Sequence, residues 1–412
     1  MDIAPKQFLI NCFNEAVAAA HPKNTLEPFL PADRTRSALV IGAGKAAASM
    51  AAEFEKHWTG PIRGAVVTPY GHKVHCHKID VIEASHPIPD ETSVTAAMRI
   101  LNLVDQAVED EIIFVLLSGG GSSLLCLPAK GIALADKQSV NNALLKSGAR
   151  IDEINCVRKH LSAIKGGRLA HKTSPSTLLT LAISDVVGDD PSVISSGPTV
   201  SDPSTSQQAI SILNKYSIMI PTTIRKWLEN PLSETPKQNF CNLEYKIIGS
   251  AALAQKKVAN IAKQKDFDVI QLGELDGDAN LLGKKHADFL TSLTVEKPTL
   301  VISGGETIVT VKGNGRGGRN GEYLLSLLIA LNEHRKIYAI AADTDGIDGI
   351  EHNAGAVILP NTISRARAAG LNPQSMLDNN DSYSFFHAIN DLIITGPTRT
   401  NINDFRAALV LP

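Results

Sequence analysis

The chain has 412 residues, which is more than one hydrophobic core usually serves, so we expect two domains. Its formal net charge of -2 excludes the strongly basic surface of proteins that bind nucleic acid or anionic membranes. No apolar run approaches the roughly 20 residues of a membrane-spanning helix. We therefore expect neither nucleic acid nor a membrane as a partner.

The N-terminus and the cysteines bear on localisation. The opening segment, MDIAPKQFLINCFNEAVAAA, lacks the positively charged start and apolar core of a signal peptide, and it predicts an amphipathic helix. The 5 cysteines are scattered and odd in number, which is typical of reduced thiols. We expect a cytoplasmic protein. The sequence leaves the oligomeric state open, a homodimer included.

Strand and helix patterns alternate from residue 37 onward. SALVIGAG (37–44) predicts a buried strand and a tight turn, and KAAASMAAEFEKHW predicts the helix that follows. RGAVVTPYG, KIDVIEASHP and EIIFVLLSGG are further strand candidates, and TSVTAAMRILNLVDQAVED between two of them has helical spacing. STLLTLAISD predicts a strand, and the polar stretch 185–203 follows it. This alternation indicates an α/β fold.

A second series of strand, loop and helix patterns follows residue 240. Its strand candidates include EYKIIGS, FDVIQLGE, PTLVISGGETIVTV and KIYAIAADTDG. The Pro-rich, polar segment 216–240 separates the two series and predicts a boundary or an excursion. We predict an N-terminal α/β domain over 1–235 and a C-terminal α/β domain over 236–412, with a chain crossover as an alternative.

Glycine turns that follow predicted strands are the first candidate binding features. A strand that ends in a glycine turn and leads into a helix directs several backbone amides at one point, where phosphate or carboxylate binds. The alternative is that these glycines only form tight turns. The candidate phosphate-binding residues are Gly42, Gly44, Ser118, Gly119, Gly120, Gly121, Ser122, Ser123, Ser303, Gly304, Gly305, Glu306 and Thr307.

The first of these turns matches a dinucleotide pattern only in part. GAGKAA fits G-x-G-x-x-A after a strand. A dinucleotide site also needs an acidic residue at the end of the next strand, where this chain has Thr68, Pro69 and Tyr70. The segment is not a phosphate-binding P-loop, because its spacing is too short and Ala46 follows the lysine. The remaining feature is Lys45, a cation whose position at a helix start a bound anion would favour.

One further segment carries positive charge near a predicted turn. KGNGRGGRNGEYLLSLL (312–328) places arginines among glycines before an apolar helix, and arginine suits bidentate phosphate or carboxylate contact. The alternative is a solvated hairpin with incidental charge.

Acidic residues follow two predicted strands. AISDVVGDD supplies Asp185, Asp189 and Asp190, and AIAADTDGIDG supplies Asp343, Asp345 and Asp348. Carboxylates at the carboxyl ends of strands hold Mg²⁺ or accept a proton from an alcohol. The alternative is helix capping and turn formation by aspartate.

Taken together, the motifs resemble the glycerate 2-kinase family, the class II glycerate kinases with a leucine-rich C-terminal MOFRL domain. The similarity spans nearly the whole chain. It is carried by IGAGKAAASMA, ASHPIPDETS, LLSGGGSSLLCLP, INCVRKHLSAIKGGRLA, SDVVGDDPSVISSGPTVSDPST, SGGETIVTV, GGRNGEYLL, AADTDGIDG and TGPTRTNINDF.

The resemblance implies an ATP-dependent transfer of phosphate to the 2-hydroxyl of D-glycerate, with Mg²⁺, in a cleft between a Rossmann-like N-terminal domain and a second α/β domain. It places the catalytic lysine on Lys45 and the catalytic arginine on Arg319, and it assigns Asp185 and Asp189 to the active site. Asn320 joins the substrate-binding set through GGRNGEYLL. Asp189 and Asp343 are the candidate metal ligands.

Two alternatives remain open at this stage. Members of the family have also been called hydroxypyruvate reductases, and GAGKAA would suit NAD(P)H, although the ribose-binding acid is missing. A non-catalytic sensor of phosphorylated metabolites would use the same glycine turns and would bind without turnover.

Overall fold

The structure, a computed structural model, describes residues 4–108, 110–173, 176–238, 240, 242–332, 334 and 336–412. Cys241 lies outside these residues. The chain forms two compact units, one of residues 22–248 and one of residues 1–21 together with 249–412. No helix of the described residues is long and apolar enough to cross a membrane.

The unit 22–248 is built on a six-stranded sheet of order β3-β2-β1-β4-β5-β6. Its strands are β1 (Ala38–Ala43), β2 (Ile62–Pro69), β3 (Ile79–Ala84), β4 (Ile112–Leu117), β5 (Leu178–Ile183) and β6 (Leu243–Gly249). The pairings β1–β2, β1–β4, β2–β3 and β4–β5 are parallel. β1, β4 and β5 are buried along their whole length, as expected for continuous apolar runs covered on both faces.

Helices and a second apolar cluster complete this unit. The helices are α2 (Pro22–Thr25), α3 (Ala47–His57), α4 (Glu91–Asp105), α5 (Gly121–Leu124), α6 (Leu134–Lys146), α7 (Ile151–His160), α8 (Arg168–Thr173), α9 (Ser206–Lys215) and α10 (Thr222–Leu228). One hydrophobic core cluster packs against the sheet and includes the strand residues Ile41 and Val115. A separate cluster joins α6, α7, α9 and α10 through residues such as Val140 and Leu213. From the segment 216–240, this cluster takes Ile218, Ile220, Ile224, Trp227 and Leu228, and the unit continues beyond the segment to residue 248.

The other unit contains a second six-stranded sheet, of order β13-β12-β11-β14-β9-β7. Its strands, with a short pair β8 and β10, are β7 (Asp268–Glu274), β8 (Gly277–Asp278), β9 (Thr299–Gly305), β10 (Thr307–Ile308), β11 (Ile337–Asp343), β12 (Gly355–Ile358), β13 (Leu392–Ile393) and β14 (Asp404–Val410). β7 and β9 are parallel, whereas β14 pairs antiparallel with both β9 and β11. The sheet is therefore mixed. The α/β class that we predicted is confirmed, and the Rossmann-like description of the first domain stays a prediction.

The first helix of the chain belongs to this second unit. The helices are α1 (Pro5–Ala20), α11 (Ala251–Gln264), α12 (Ala279–Ser292), α13 (Arg319–Leu331), α14 (Thr362–Ala368), α15 (Pro373–Asp378) and α16 (Ser382–Ala388). The Phe8 ring of α1 packs on Phe267 with ring centroids 4.9 Å apart, and the Ala20 carbonyl accepts a hydrogen bond from Thr400. The compact units change at 21/22 and 248/249, whereas we predicted one boundary at 235/236. The change at 21/22 arises because α1 packs with residues that follow 248.

Candidate active-site loops and the charged residues around Arg319

Two glycine loops meet at the carboxyl edge of the first sheet. β1 and β4 are neighbours at the point where the strand order reverses, so the loops that follow them lie side by side. The Lys45 amide donates to the Gly119 carbonyl at 2.8 Å, and the Ser118 amide donates to the Ala43 carbonyl at 3.1 Å. These bonds join the loop 42–45 to the loop 118–123, and the Lys45 residue at the end of the first loop is half-buried.

Close packing explains two of the glycines in these loops. A Cβ atom on Gly44 would lie 2.1 Å from Ser118 Oγ. The Ser118 hydroxyl is held in place because it accepts a hydrogen bond from the Ala46 amide at 2.9 Å. A Cβ atom on Gly121 would lie 2.1 Å from Ser195 Oγ. Close packing therefore requires glycine at both positions, and phosphate binding by this turn stays a prediction.

The same loop also offers amides to a ligand. Among the described residues, the amides of Gly119, Gly120 and Ser122 have no hydrogen-bond partner. The hydroxyls of the loop are engaged, since Ser122 Oγ lies 2.7 Å from Ser196 Oγ and Ser123 Oγ lies 2.8 Å from His86 Nδ1. Three neighbouring open amides form an arrangement that suits an anion.

The predicted acids of the first unit follow β5 at the same edge of the sheet. Asp185 and Asp189 are partly exposed, and 187–189 form a single 3₁₀ turn. Asp189 adopts a left-handed conformation with φ of 56°. A non-glycine residue held in this region is costly and often marks a functional position. In the part of the chain that the structure describes, no hydrogen bond or ion pair of the Asp189 carboxylate is found.

The segment 303–307 is not the strand-to-helix turn that we predicted. Ser303, Gly304 and Gly305 continue β9 between two paired strands, and Thr307 starts β10. Gly305 lies against the Leu275 backbone, where a Cβ atom would be 2.4 Å from its carbonyl oxygen. The prediction of a helix here was wrong because β14, from the end of the chain, pairs with β9 and makes it an interior strand.

Arg319 stands at the start of α13 and contacts three carboxylates. Its guanidinium donates to Asp404 at 2.8 Å, to Glu306 at 2.6 Å and to Asp343 at 2.8 Å. Burial would lower the pKa of Arg319, but Asp404, Asp343 and Glu306 raise it above its usual value. The Asp404 side chain is fully buried, whereas Glu306 is 55% exposed. Glu306 is therefore the partner that an incoming anion displaces most readily.

The acids after β11 mainly organise the backbone. The Asp348 carboxylate accepts the amides of Asn320 at 3.0 Å and Gly321 at 2.9 Å, and thus caps α13. Burial raises the pKa of Asp348 to about 6 despite these bonds. The Asp345 carboxylate closes a turn with the Ile347 amide at 2.9 Å. The capping alternative holds for Asp348. Asn320 is fully buried, and its side-chain amide donates to Asp404 at 2.8 Å.

Asp343 is a buried carboxylate whose two oxygens both accept hydrogen bonds. Oδ1 accepts the Asp345 amide at 3.0 Å, and Oδ2 accepts from Arg319 at 2.8 Å. Burial raises the pKa of Asp343 well above its usual value, and the nearby Asp345 and Asp404 add to the effect. Within the described residues no group of three or more His, Cys, Asp and Glu side chains is placed to hold a metal ion.

Sequence reasoning missed a group of cations in the first unit. Lys137, Arg158 and Lys165 line a cavity of about 460 Å³ beside the loop 118–123. Lys165 Nζ donates to the Ser195 carbonyl at 3.1 Å. The polar helical sequence around Lys137 predicts that its side chain is exposed to solvent. The one available signal was the Gly166–Gly167 pair after Lys165, which indicates an irregular, closely packed chain.

Comparison with known proteins assigns the chain to a family. Residues 8–229 match the family model described as a domain of unknown function, DUF4147, and residues 299–404 match the MOFRL family. A D-glycerate 2-kinase of Thermotoga maritima is 39% identical over 98% of each chain. A protein of Agrobacterium vitis with the provisional name hydroxypyruvate reductase is 46% identical over 99% of this chain and 95% of its own length. The crystal structure of a Thermotoga maritima glycerate kinase matches with a TM-score of 0.90 at 39% identity, over 98% of this chain and 99% of the other.

Proposed function

Because this chain belongs to the glycerate 2-kinase family, we propose that it transfers the terminal phosphate of ATP to the 2-hydroxyl of D-glycerate. The observation that carries the proposal is the joined pair of loops after β1 and β4, which places Lys45 beside three open amides. Amides and an ammonium group are suitable partners for phosphate oxygens.

The proposed reaction is an in-line displacement. The 2-hydroxyl oxygen of glycerate bonds to the γ-phosphorus, the bond from that phosphorus to the bridging oxygen breaks, and ADP leaves with the electron pair. The hydroxyl proton passes to a carboxylate, for which Asp185 and Asp189 are the candidates. Catalysis of this kind depends on positioning and on stabilising phosphate charge, which the loop amides and Lys45 would supply.

The metal proposal rests on the acids at the edge of the first sheet. Mg²⁺ at kinase sites is usually held by one or two carboxylates together with substrate phosphates, so a complete protein cage is not required. The Asp189 carboxylate, partly exposed and held by a strained backbone, fits as such a ligand. Bound Mg²⁺ would neutralise phosphate charge. Asp343 fits less well, because both its oxygens are engaged and a metal would have to displace Arg319.

Arg319 would act on an anionic group of the substrate. Its contact with the half-exposed Glu306 is the weakest of its three ion pairs, because exposed pairs contribute little. We propose that an anion replaces Glu306 at Arg319, while the buried Asp404 keeps the guanidinium oriented. Glu306 itself would then compete with the substrate, contrary to our prediction that it binds phosphate.

Phosphorus NMR of the products from D-glycerate and ATP tests the proposal, because it distinguishes 2-phosphoglycerate from 3-phosphoglycerate. Absence of any phosphorylated glycerate would contradict it. The name carried by the Agrobacterium vitis relative favours a second candidate, an NAD(P)H-dependent reductase of hydroxypyruvate. Incubation with hydroxypyruvate and NADH or NADPH, with the loss of the reduced cofactor followed by its absorbance, tests that candidate in parallel.

A further inference from the structure

A cavity of about 460 Å³ within the unit 22–248 lies next to the proposed phosphate loop. We call it the cationic cavity; its walls are the segment His86–Pro89, the loop residues Gly120, Ser122 and Ser123, and the facing sides of α6 and α7. The proposed reaction assigns it no role. Its position beside the open amides of the loop makes it a candidate for a substrate site.

Three cations face this cavity without a counter-charge. Lys137 is 7% exposed, and its ammonium group has no hydrogen-bond partner among the described residues. Lys165 is 1% exposed and its ammonium group contacts a carbonyl, and Arg158 donates to Asn141 at 2.5 Å. Among the ion pairs of the described residues, none involves these three side chains.

Buried positive charge without a partner is costly to the free protein. Moving an ion from water into the protein interior costs about several kcal/mol of folding free energy unless an opposite charge compensates. Burial, together with the neighbouring charges of Lys137 and Arg158, lowers the pKa of Lys165 to about 7. An arrangement that weakens the fold in this way is most simply explained by an anionic ligand that supplies the missing charge.

The size and the walls of the cavity define that ligand. A volume of about 460 Å³ is typical of sites for drug-sized ligands and far exceeds a three-carbon acid. Apolar side chains line part of it, among them Ile88 and Leu145, which are both 54% exposed. The ligand should therefore combine several negative charges with an apolar portion.

We infer that the cationic cavity binds the nucleoside triphosphate of the proposed kinase reaction. Its phosphates lie toward Lys137, Arg158 and Lys165, and its base lies along Ile88 and Leu145. The inference rests on the proposed function for the identity of the ligand. In this orientation the phosphates extend from Lys137 and Lys165 to the loop 118–123, so that the terminal phosphate points toward Lys45.

Lys137→Met tests the charge contacts, with Lys146→Met on the same helix as the matched control, since Lys146 is exposed and does not line the cavity. The probe is the non-hydrolysable analogue AMP-PNP with Mg²⁺, titrated calorimetrically into the full chain. Loss of a hydrogen bond to a charged group predicts that Kd rises about 10- to 100-fold in Lys137→Met and stays unchanged in the control. The melting temperature of the ligand-free Lys137→Met variant should rise, because an unpaired buried charge is gone.

Leu145→Ser, which removes apolar contact without adding charge, tests the base contact separately. It should weaken AMP-PNP binding while leaving the binding of inorganic tripolyphosphate within about 2-fold, because only the nucleoside contacts Leu145. An unchanged AMP-PNP Kd in Lys137→Met would overturn the inference. A rise in the KM for D-glycerate without a rise in the KM for ATP would also overturn it, and would assign the cavity to the hydroxy acid.

Failure of the proposed function is distinguishable from failure of this inference. If the wild-type chain forms no phosphorylated glycerate, the proposed function fails, whereas the effect of Lys137→Met on AMP-PNP binding still decides whether the cavity holds a nucleotide.

Discussion

Replacing Asp404 by asparagine should destabilise the unit formed by residues 1–21 and 249–412. The Asp404 carboxylate is fully buried and accepts bonds from Arg319, Asn320 and Arg406, each at 2.8 Å. Arg406 is itself 1% exposed. Removing one partner of a buried ion pair leaves the other charge uncompensated, and we expect a loss of about 3–5 kcal/mol in the free energy of unfolding.

For a unit of this size, that loss corresponds to a fall in melting temperature of about 6–20 °C. Both tryptophans, Trp58 and Trp227, lie in the other unit, so their fluorescence reports on 22–248. Scanning calorimetry should show a lower melting temperature for the unit of residues 1–21 and 249–412. The melting temperature followed by tryptophan fluorescence, which reports on 22–248, should stay unchanged.

Two further variants make this test specific. Asp266→Asn removes an exposed partner of Lys297 in the same unit and should change stability by less than about 0.5 kcal/mol. Asp404→Asn combined with Arg406→Met should recover part of the loss, because the unpaired cation is gone. An Asp404→Asn protein as stable as the Asp266→Asn control would refute the reasoning.

Three other expectations concern activity and pH. Lys45→Ala should lower turnover about 10²- to 10³-fold in a coupled assay of ADP release, whereas Lys56→Ala, exposed on the following helix, should not; near-normal turnover in a folded Lys45→Ala protein would contradict the assignment. Glu306→Gln should lower the KM for D-glycerate by up to about 5-fold, as an exposed competitor of Arg319 is removed, and an unchanged or raised KM would count against that role. The pKa of Lys165 is about 7 in the folded protein, against 10.5 for a solvated lysine such as that of the unfolded chain. The unfolded chain therefore binds more protons between these values, so this charge destabilises the fold fully below pH 7 and ceases to do so as pH rises toward 10.5. Urea unfolding of Lys165→Met should therefore show a gain in stability at pH 7 that shrinks at pH 9, and a gain independent of pH would disprove the titration.

The first unit could be predicted well from local sequence. β1, β4 and β5 are continuous apolar runs that end in glycine or aspartate, and such runs specify buried parallel strands whatever follows them. The loops 42–45 and 118–123 were predicted for the same reason, because each directly follows its strand.

The second unit and the cavity could not be predicted in this way. The interior position of β9 depends on β14, which lies about a hundred residues later in the chain, and no local pattern records that pairing. The glycines at 304 and 305 therefore resembled a binding turn and are in fact packed strand residues. Lys137 and Lys165 are buried by the arrangement of α6, α7 and the loops, so their sequence neighbours gave no measure of their burial.

The packing of α1 has a consequence for biosynthesis. The ribosome makes this helix first, yet Phe267, Thr400 and Asp391, which contact it, are made far later. The helix must wait with its apolar side uncovered while residues 22–248 emerge and fold. A fragment that starts at residue 249 would lack α1 altogether, and it should expose the surface that Phe8 and Phe13 normally cover and aggregate more readily than the full chain.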